Sequence, residues 1–243
     1  MHVPDGFLDV PTSVATAVVA ATAIGLSLRG ARRELDDRAA PLAGLVATFI
    51  FAAQMINFPV AAGTSGHLIG GALAAVLVGP WTATLCLTVV LLVQGLLFAD
   101  GGLTALGTNI TLMGVVAGWT GYAVFRLALT LLPRRVGSVP LAAGFGGFVS
   151  VPVAALGFAG LFTVGGTAPI DPGTLIAAMV GVHTLIGIGE GVLTALVVGS
   201  VVAVRPDLVH GARRLRATAA AAAAPASASA PAEAATTRPG PTP

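Results

Sequence analysis

The first two residues, Met1 and His2, form a chemically distinctive pair at the start of the chain. A free amino group followed directly by histidine can close two chelate rings on one metal ion, through the amine nitrogen, the residue 2 amide nitrogen and the imidazole Nδ1. His67 could supply a fourth nitrogen. Four nitrogens in a plane suit nickel(II) or copper(II) and are compatible with cobalt(II), whereas zinc prefers a tetrahedron. Because many chains begin Met-His by accident, the rest of the sequence must test this interpretation.

The chelate requires an unblocked amine at residue 1. The start of the chain carries Pro4, Asp5, Asp9 and Pro11 in place of a basic stretch, and no small-residue cleavage site follows a short apolar core. These features are not typical of a signal peptide. We therefore expect the amine of Met1 to be free.

The composition predicts an integral membrane protein. Hydrophobic residues make up 56% of the chain and charged residues 9%, with a mean hydropathy of +0.94, whereas soluble domains have about 25% charged residues. The 32 glycines and 16 prolines are compatible with packed membrane helices. No basic run is interleaved with aromatic residues, so we expect no nucleic-acid partner. Cys86 is the single cysteine, which excludes an intrachain disulfide framework.

Apolar stretches long enough to cross a bilayer recur along the chain, since about 20 helical residues cover the hydrocarbon. The stretch from residue 68 to 98 is longer than one helix needs and is interrupted by Gly79-Pro80-Trp81, so it could form one long helix or two short ones. The other stretches are Val10 to Leu28, Leu42 to Phe58, Leu103 to Leu132, Val139 to Val164 and Thr174 to Val204.

Three arginine clusters decide the number of spans. They lie at residues 29 to 38, 134 to 135 and 205 to 216, and the preference of basic loops for the cytoplasm places all three on that side. An even number of spans must then separate the first two clusters, which requires the chain to reverse at Gly79-Pro80. The sequence therefore predicts an all-α membrane protein of about seven transmembrane helices, with an outer amino terminus and a cytoplasmic carboxyl terminus.

This topology places the candidate ligands on one side of the membrane. Met1-His2 and the polar loop 57 to 67 both fall on the outer side, together with Asp100 and Asp171. Because the placement follows from the arginine clusters alone, it supports a shared metal site.

Two segments follow from the same pattern. Residues 1–205 are predicted to form a seven-span metal-binding domain. Residues 206–243 are predicted to form a cytoplasmic basic stretch and a disordered tail rich in Ala and Pro, beginning with one further helical turn of alanines, because such a composition cannot bury a core.

His183 and Glu190 are a second pair of polar residues inside an apolar span. They lie seven residues apart, and this spacing puts them on one helix face. A charge near the bilayer centre costs about 2.5 to 3.5 kcal/mol, so Glu190 should face the bundle interior or a partner. The spacing matches no zinc-hydrolase signature. We favour hydrogen bonding or support of a neighbouring ligand over direct metal ligation, which remains open.

Further polar residues lie near the ends of the predicted spans. Helix capping or interhelical hydrogen bonding is the simplest role for each, and we assign Gln94 to it. Asn57, Asp100 and Asn109 also remain candidates to orient a ligand, because a ligating imidazole usually donates its other N–H to a carboxylate or carbonyl. Ser65, next to the His67 turn, is a further candidate of this kind.

Five separated motifs in this order resemble the cobalt/nickel CbiM/NikM family, the substrate-capture subunits of energy-coupling factor (ECF) transporters. The resemblance covers about residues 1 to 205. The motifs are Met1-His2-Val3-Pro4-Asp5-Gly6-Phe7-Leu8, Asn57-Phe58-Pro59 through Gly63-Thr64-Ser65-Gly66-His67-Leu68 with Gly70-Gly71, Gly79-Pro80-Trp81, Phe98-Ala99-Asp100-Gly101-Gly102 with Asn109, and His183 through Glu190-Gly191.

The resemblance implies a seven-helix protein of the cell membrane whose amino terminus inserts into the bundle. It implies that the residue 1 amine, the residue 2 amide and imidazole, and His67 hold transported Co²⁺ or Ni²⁺, with no cofactor of the chain's own. It also implies a transmembrane coupling subunit and two ATPase subunits as partners, with a small accessory membrane protein in some assemblies.

The predicted function is therefore metal capture for an ATP-driven importer, with cobalt slightly preferred over nickel. The chain contains no G-x-x-x-x-G-K-[ST] motif, so ATP would be hydrolysed by another subunit and the chain itself would not be an enzyme. A passive divalent-metal channel is the main alternative, although no span carries a repeated line of ionisable residues. A metalloenzyme using His183 and Glu190 is a more distant one.

Overall fold

The computed structural model of the chain describes residues 2–35, 39–56, 58–59 and 65–223. This part of the chain is predominantly helical, which confirms the predicted all-α membrane class. A short antiparallel pair joins β1 (Phe58–Pro59) and β2 (Ser65–Gly66). The helices are α1 (Val10–Gly30), α2 (Ala39–Gln54), α3 (Gly71–Val78), α4 (Pro80–Leu97), α5 (Leu106–Asn109), α6 (Gly118–Leu131), α7 (Val139–Gly165), α8 (Pro172–Val204) and α9 (Arg213–Ala223). A π-helical segment (Ile110–Ala117) joins α5 to α6.

Local sequence explains where two of the long helices begin. Asp9 caps α1 by accepting a hydrogen bond of 2.9 Å from the Thr12 amide. Asp171 caps α8 in the same way, at 2.8 Å from the Thr174 amide. Each cap precedes a proline in the first helical turn, where its missing N–H removes no helical hydrogen bond.

Among the described residues, five helical stretches are long and apolar enough to cross a membrane. These are Val10–Arg33, Pro80–Leu97, Leu106–Leu131, Val136–Gly165 and Pro172–Val204. The apolar helix α2 is shorter, with 16 residues. Helix α3 has 8 residues and rises only about 12 Å, compared with a hydrocarbon thickness of about 30 Å. The total of seven spans and their orientation therefore stay predictions.

The interruption at Gly79-Pro80 divides the long apolar stretch into two helices that pack against each other. Gly79 adopts φ 98°, a conformation that favours glycine, and Pro80 begins α4. The structure therefore has two helices here, as the placement of the arginine clusters required.

The described part of the chain contains two apolar clusters, and segments near the amino terminus and beyond residue 205 contribute to them. Val3, Phe7 and Leu8 belong to the first, with residues of the π-helical segment, α7 and α8. This confirms that the amino-terminal segment inserts into the bundle. Val209 and Ala212 are fully buried in the second, with residues of α2, α3, α4 and α6. Packing thus continues beyond residue 205.

The carboxyl-terminal segment is helical for longer than one turn of alanines. Helix α9 reaches Ala223, and residues 224–243 lie outside the described residues. The predicted disordered tail and the division of the chain at residue 205 therefore stay predictions.

Candidate metal centre

Residues 2–9 form a plug that fills one end of the bundle between the ends of α4 and α7. Val3 is bonded twice by the Asn109 side chain, whose Oδ1 accepts from the Val3 amide at 2.8 Å and whose Nδ2 donates to the Val3 carbonyl at 3.2 Å. The Val3 carbonyl also accepts from the Gly102 amide at 2.9 Å, and the Asp9 amide donates to the Gly165 carbonyl at 2.7 Å. Hydrogen bonds to its main chain therefore hold the plug at Val3 and at Asp9.

The plug brings His2 and His67 together. Their rings are stacked, with centroids 4.4 Å apart and planes inclined by 26°. His2 is 6% exposed and His67 is fully buried. Two imidazoles that are 65 positions apart in sequence thus share one interior site, as the metal hypothesis requires.

Two side chains flank the His2 ring. His2 Nε2 lies 3.2 Å from Gln94 Oε1, an oxygen that accepts hydrogen bonds. Nδ1 is the nitrogen that the predicted chelate uses. Nδ1 lies 3.2 Å from Asp100 Oδ1, within ion-pair distance but outside hydrogen-bond geometry. Binding a metal would require Nδ1 to exchange this neighbour for the ion.

His67 presents a second imidazole nitrogen to the same site. Its Nδ1 donates to the Leu68 carbonyl at 2.8 Å, which leaves the lone pair on Nε2. Nε2 is buried and has no hydrogen-bond partner among the described residues. Burial holds the pKa of His67 well below its usual range, and the neighbouring His2 imidazole lowers it further. The neutral ring is the form that binds a metal.

Two side chains hold the loop that carries His67. Glu190 Oε2 accepts from the Ile69 amide at 2.6 Å, and Oε1 accepts from the Gly70 amide at 2.8 Å. Gln54 Nε2 donates to the Ile69 carbonyl at 2.7 Å. Irregular backbone at membrane depth requires such partners, because no water is available to replace them. The Glu190 carboxylate therefore contacts the main chain of the His67 loop.

His183 lies near this pair without joining it by a hydrogen bond. Its Nδ1 donates to the Met179 carbonyl of its own helix at 2.8 Å, and its Nε2 is buried without a partner among the described residues. The ring is close enough to His67 to act on it electrostatically. The shared helix face predicted for His183 and Glu190 points into the bundle interior, where both side chains are buried.

The other predicted site residues divide into three groups. Asp100 and Asn109 reach the plug, at His2 and Val3 respectively. Ser65 lies in β2, which pairs with β1. Met1 and Asn57 lie outside the described residues.

Gln94 has a larger role than the sequence indicated. We assigned it to capping or interhelical bonding, whereas its side chain contacts the His2 ring. Its only sequence signal is a polar residue near the end of an apolar span. The contact depends on the plug lying beside the end of α4, which spacing along the chain does not reveal.

The described residues contain no group of three or more His, Cys, Asp or Glu side chains that could hold a metal ion. A chelate at residues 1 and 2 would take two of its nitrogens from the terminal amine and the main chain, which are not side-chain ligands. The side chains that such a site needs are two imidazoles, and His2 and His67 provide them.

The chain matches a protein family along most of its length. The family model for CbiM, the cobalt uptake substrate-specific transmembrane region, matches residues 2–208. This match includes the plug, the His67 loop and all five helices of spanning length. The chain belongs to the CbiM family.

Individual relatives of this CbiM-family chain agree with the assignment. A protein of Haloquadratum walsbyi that is named for metal transport is 41% identical over 215 residues, covering 86% of this chain and 93% of its own length. A fused nickel transport protein, NikMN, of Rhodobacter capsulatus is 35% identical over 225 residues, covering 86% of this chain and 64% of its own length.

A solved structure shares the fold. A truncated transition metal transporter superposes with a TM-score of 0.77 at 32% identity, covering 83% of this chain and 98% of that one. With five helices of spanning length among the described residues, this CbiM-family chain is a multi-pass membrane protein. Members of its family are components of metal transporters, which is a non-enzymatic role.

Proposed function

We propose that this CbiM-family chain is the metal-capture subunit of an ATP-driven ECF importer for cobalt(II) or nickel(II) in the cell membrane, with cobalt slightly preferred. The ion is its substrate, and the chain has no cofactor of its own. A transmembrane coupling subunit and two ATPase subunits would be its partners, with a small accessory membrane protein as a further candidate. Met1, His2 and His67 would supply the ligands.

The observation that carries this proposal is the stacked pair of buried imidazoles at His2 and His67. Hydrogen bonding leaves the lone pair of His67 on Nε2, and this ring is stacked on that of His2. Imidazole nitrogens suit cobalt(II) and nickel(II). Because His2 directly follows residue 1 in the sequence, we propose the residue 1 amine as a further ligand.

A blocked amine tests the chelate directly. A histidine-free tag placed before Met1 converts the residue 1 amine into a peptide amide, so we expect Co²⁺ and Ni²⁺ binding to be lost in titration calorimetry. The same tag placed at the carboxyl terminus, beyond residue 223, is the matched control and should leave binding unchanged. Tight binding by the amino-terminally tagged protein, with a melting temperature like that of the control, would contradict the proposed ligands.

Flux measurements distinguish an importer subunit from the passive-channel alternative. Vesicles that hold this chain alone are compared with vesicles that also hold the coupling and ATPase subunits. We expect Co²⁺ uptake only with the partners and ATP. Rapid uptake by the chain alone, without ATP, would favour the channel. Competition between Co²⁺ and Ni²⁺ in the calorimeter then establishes the metal preference.

A further inference from the structure

The end of the bundle opposite the plug carries a second concave site. It is a cleft of about 470 Å³ between the last turns of α6 and helix α9. Arg126 and Arg134 line it from the α6 side and Arg214 from α9, and two threonines add hydroxyl groups. We refer to this cavity as the arginine cleft. Its location follows from α7, which begins near the cleft at Val139 and ends at Gly165 against the plug.

The positive charge of the arginine cleft is not neutralised within the described part of the chain. Ion pairs among the described residues join Arg205 to Asp207 and His2 to Asp100, both outside the cleft. The cleft arginines, Arg126, Arg134 and Arg214, form no ion pair with a described residue. Three guanidinium groups around one cavity repel each other, so their arrangement favours an anion between them.

A neighbouring histidine lies within the field of these arginines. His210 immediately precedes Gly211, which lines the cleft. Burial, together with the nearby charges of Arg213, Arg126 and Arg214, lowers the pKa of His210 to about 4. Two of those three arginines belong to the cleft, so its charge acts on groups around it.

The surroundings of the arginine cleft match the border of a bilayer. The same turns of α6 carry Leu127 and Leu131, whose side chains are 61% and 81% exposed, as expected for residues that contact lipid. Leu129 and Leu215 form part of the cleft wall. A ligand that binds here can therefore contact charge and hydrocarbon together. Basic pockets between membrane helices bind anionic lipid headgroups in this way.

We propose that the arginine cleft binds the phosphate headgroup of an anionic phospholipid. Arginine suits this ligand because its planar fork donates two hydrogen bonds to one phosphate group. The hydroxyl groups of Thr130 and Thr218 donate to the Leu127 and Arg214 carbonyls, at 2.7 Å and 3.0 Å, so the arginines would supply the hydrogen bonds to the phosphate. The site is separate from the metal centre, and the proposal does not rest on metal capture.

Lipid retention measured by native mass spectrometry tests this proposal. The full chain is titrated with phosphatidylglycerol and, separately, with phosphatidylcholine of the same acyl chains. The test variant replaces all three cleft arginines (R126Q, R134Q, R214Q). The control variant removes three exposed arginines that do not line the cleft (R29Q, R32Q, R33Q), so both lose the same charge.

We expect the native chain to retain phosphatidylglycerol in preference to phosphatidylcholine. In the cleft variant this preference should fall by about tenfold or more, with little change in the control. A lysine variant (R126K, R134K, R214K) keeps the charge and should retain part of it. Equal losses in the cleft and control variants would overturn the proposal, because general surface charge would then explain the effect.

Two further arms address the source of the phosphate and the fold. Inorganic phosphate at millimolar concentration should not displace phosphatidylglycerol. Displacement would assign the cleft to a free anion instead, and absence of any lipid preference in the native chain would favour an acidic protein partner. Each variant is compared with the native chain in melting temperature, and the lysine variant replaces the glutamine variant if the latter unfolds.

Discussion

Two buried glutamates hold the two ends of α3 in different ways. Glu190 accepts from the Ile69 and Gly70 amides just before α3 begins. Glu34 accepts from the Trp81 and Thr82 amides at 3.2 Å and 2.7 Å, just after the turn at Gly79 where α3 ends and α4 begins. In both places the residue at the helix start is glycine, which has no side chain to cap the helix. Glu34 replaces the missing cap of α4, because Trp81 and Thr82 lie in its first turn, whereas Glu190 bonds the two amides that precede α3.

The difference between the two lies in what each anchored segment carries. Glu190 holds the main chain directly after His67, so its position affects the candidate metal centre. Glu34 holds the start of α4, and its own carbonyl accepts from Arg213 Nη1 at 3.0 Å, so it links α4 to the carboxyl-terminal segment. A buried carboxylate thus holds the loop of the candidate ligand His67 at one end of α3 and joins structural elements at the other.

The largest expected difference concerns metal affinity. Glu190→Ala removes both acceptors from the His67 loop, so we expect Co²⁺ affinity to fall by about 10- to 100-fold, the usual effect of losing a group that orients a ligand. Glu34→Ala removes an equivalent carboxylate and should change affinity less than about twofold, because it contacts no part of that loop. Titration calorimetry on the two untagged variants measures both.

Loss of the fold must be separated from loss of orientation. Glu190→Gln retains one acceptor oxygen and should recover part of the affinity, with a melting temperature between those of the native and alanine variants. If the Glu190→Ala and Glu34→Ala variants both fold and bind Co²⁺ with similar affinity, the two glutamates do not differ in their effect on the candidate metal centre.

The sequence predicted much of this arrangement. Composition and arginine placement predicted the membrane class, and the Gly79-Pro80 interruption indicated the two-helix structure that is observed. The pairing of His2 with His67 was expected from their common side of the membrane. The roles of Glu190 and Gln94 at particular atoms could not be predicted, because each depends on how segments far apart in sequence pack. The length of α3 was also hidden, since residues 68–70 are as apolar as a helix but adopt a loop held by Glu190.

A smaller effect is expected from adding a methyl group at Gly79, where α3 ends and α4 begins. Gly79 has φ 98°, and a Cβ there would overlap the Glu34 carboxyl group. Gly79→Ala should therefore lower the free energy of unfolding by about 1 to 3 kcal/mol and leave Co²⁺ affinity unchanged. Gly181→Ala in α8, where a Cβ meets no atom within 4 Å, is the control and should be neutral or slightly stabilising. Denaturant titrations in micelles measure the difference, and equal stabilities would contradict strain at the turn.

The smallest expected effect comes from protons and compares two buried imidazoles, His67 at the metal centre and His210 beside the arginine cleft. Burial lowers the pKa of both, that of His210 to about 4. Below about pH 6.5 the unfolded chain binds a proton at each position and the folded chain does not, so stability falls as the pH decreases from about 6.5. For His210 this loss continues to about pH 4.

His210→Gln should reduce the decrease in melting temperature between pH 7 and pH 5 while retaining Co²⁺ affinity at pH 7. His67→Gln should reduce the same decrease but lose the affinity. If His210→Gln lost metal binding as well, the two ends of the bundle would be coupled and the contrast between them would fail.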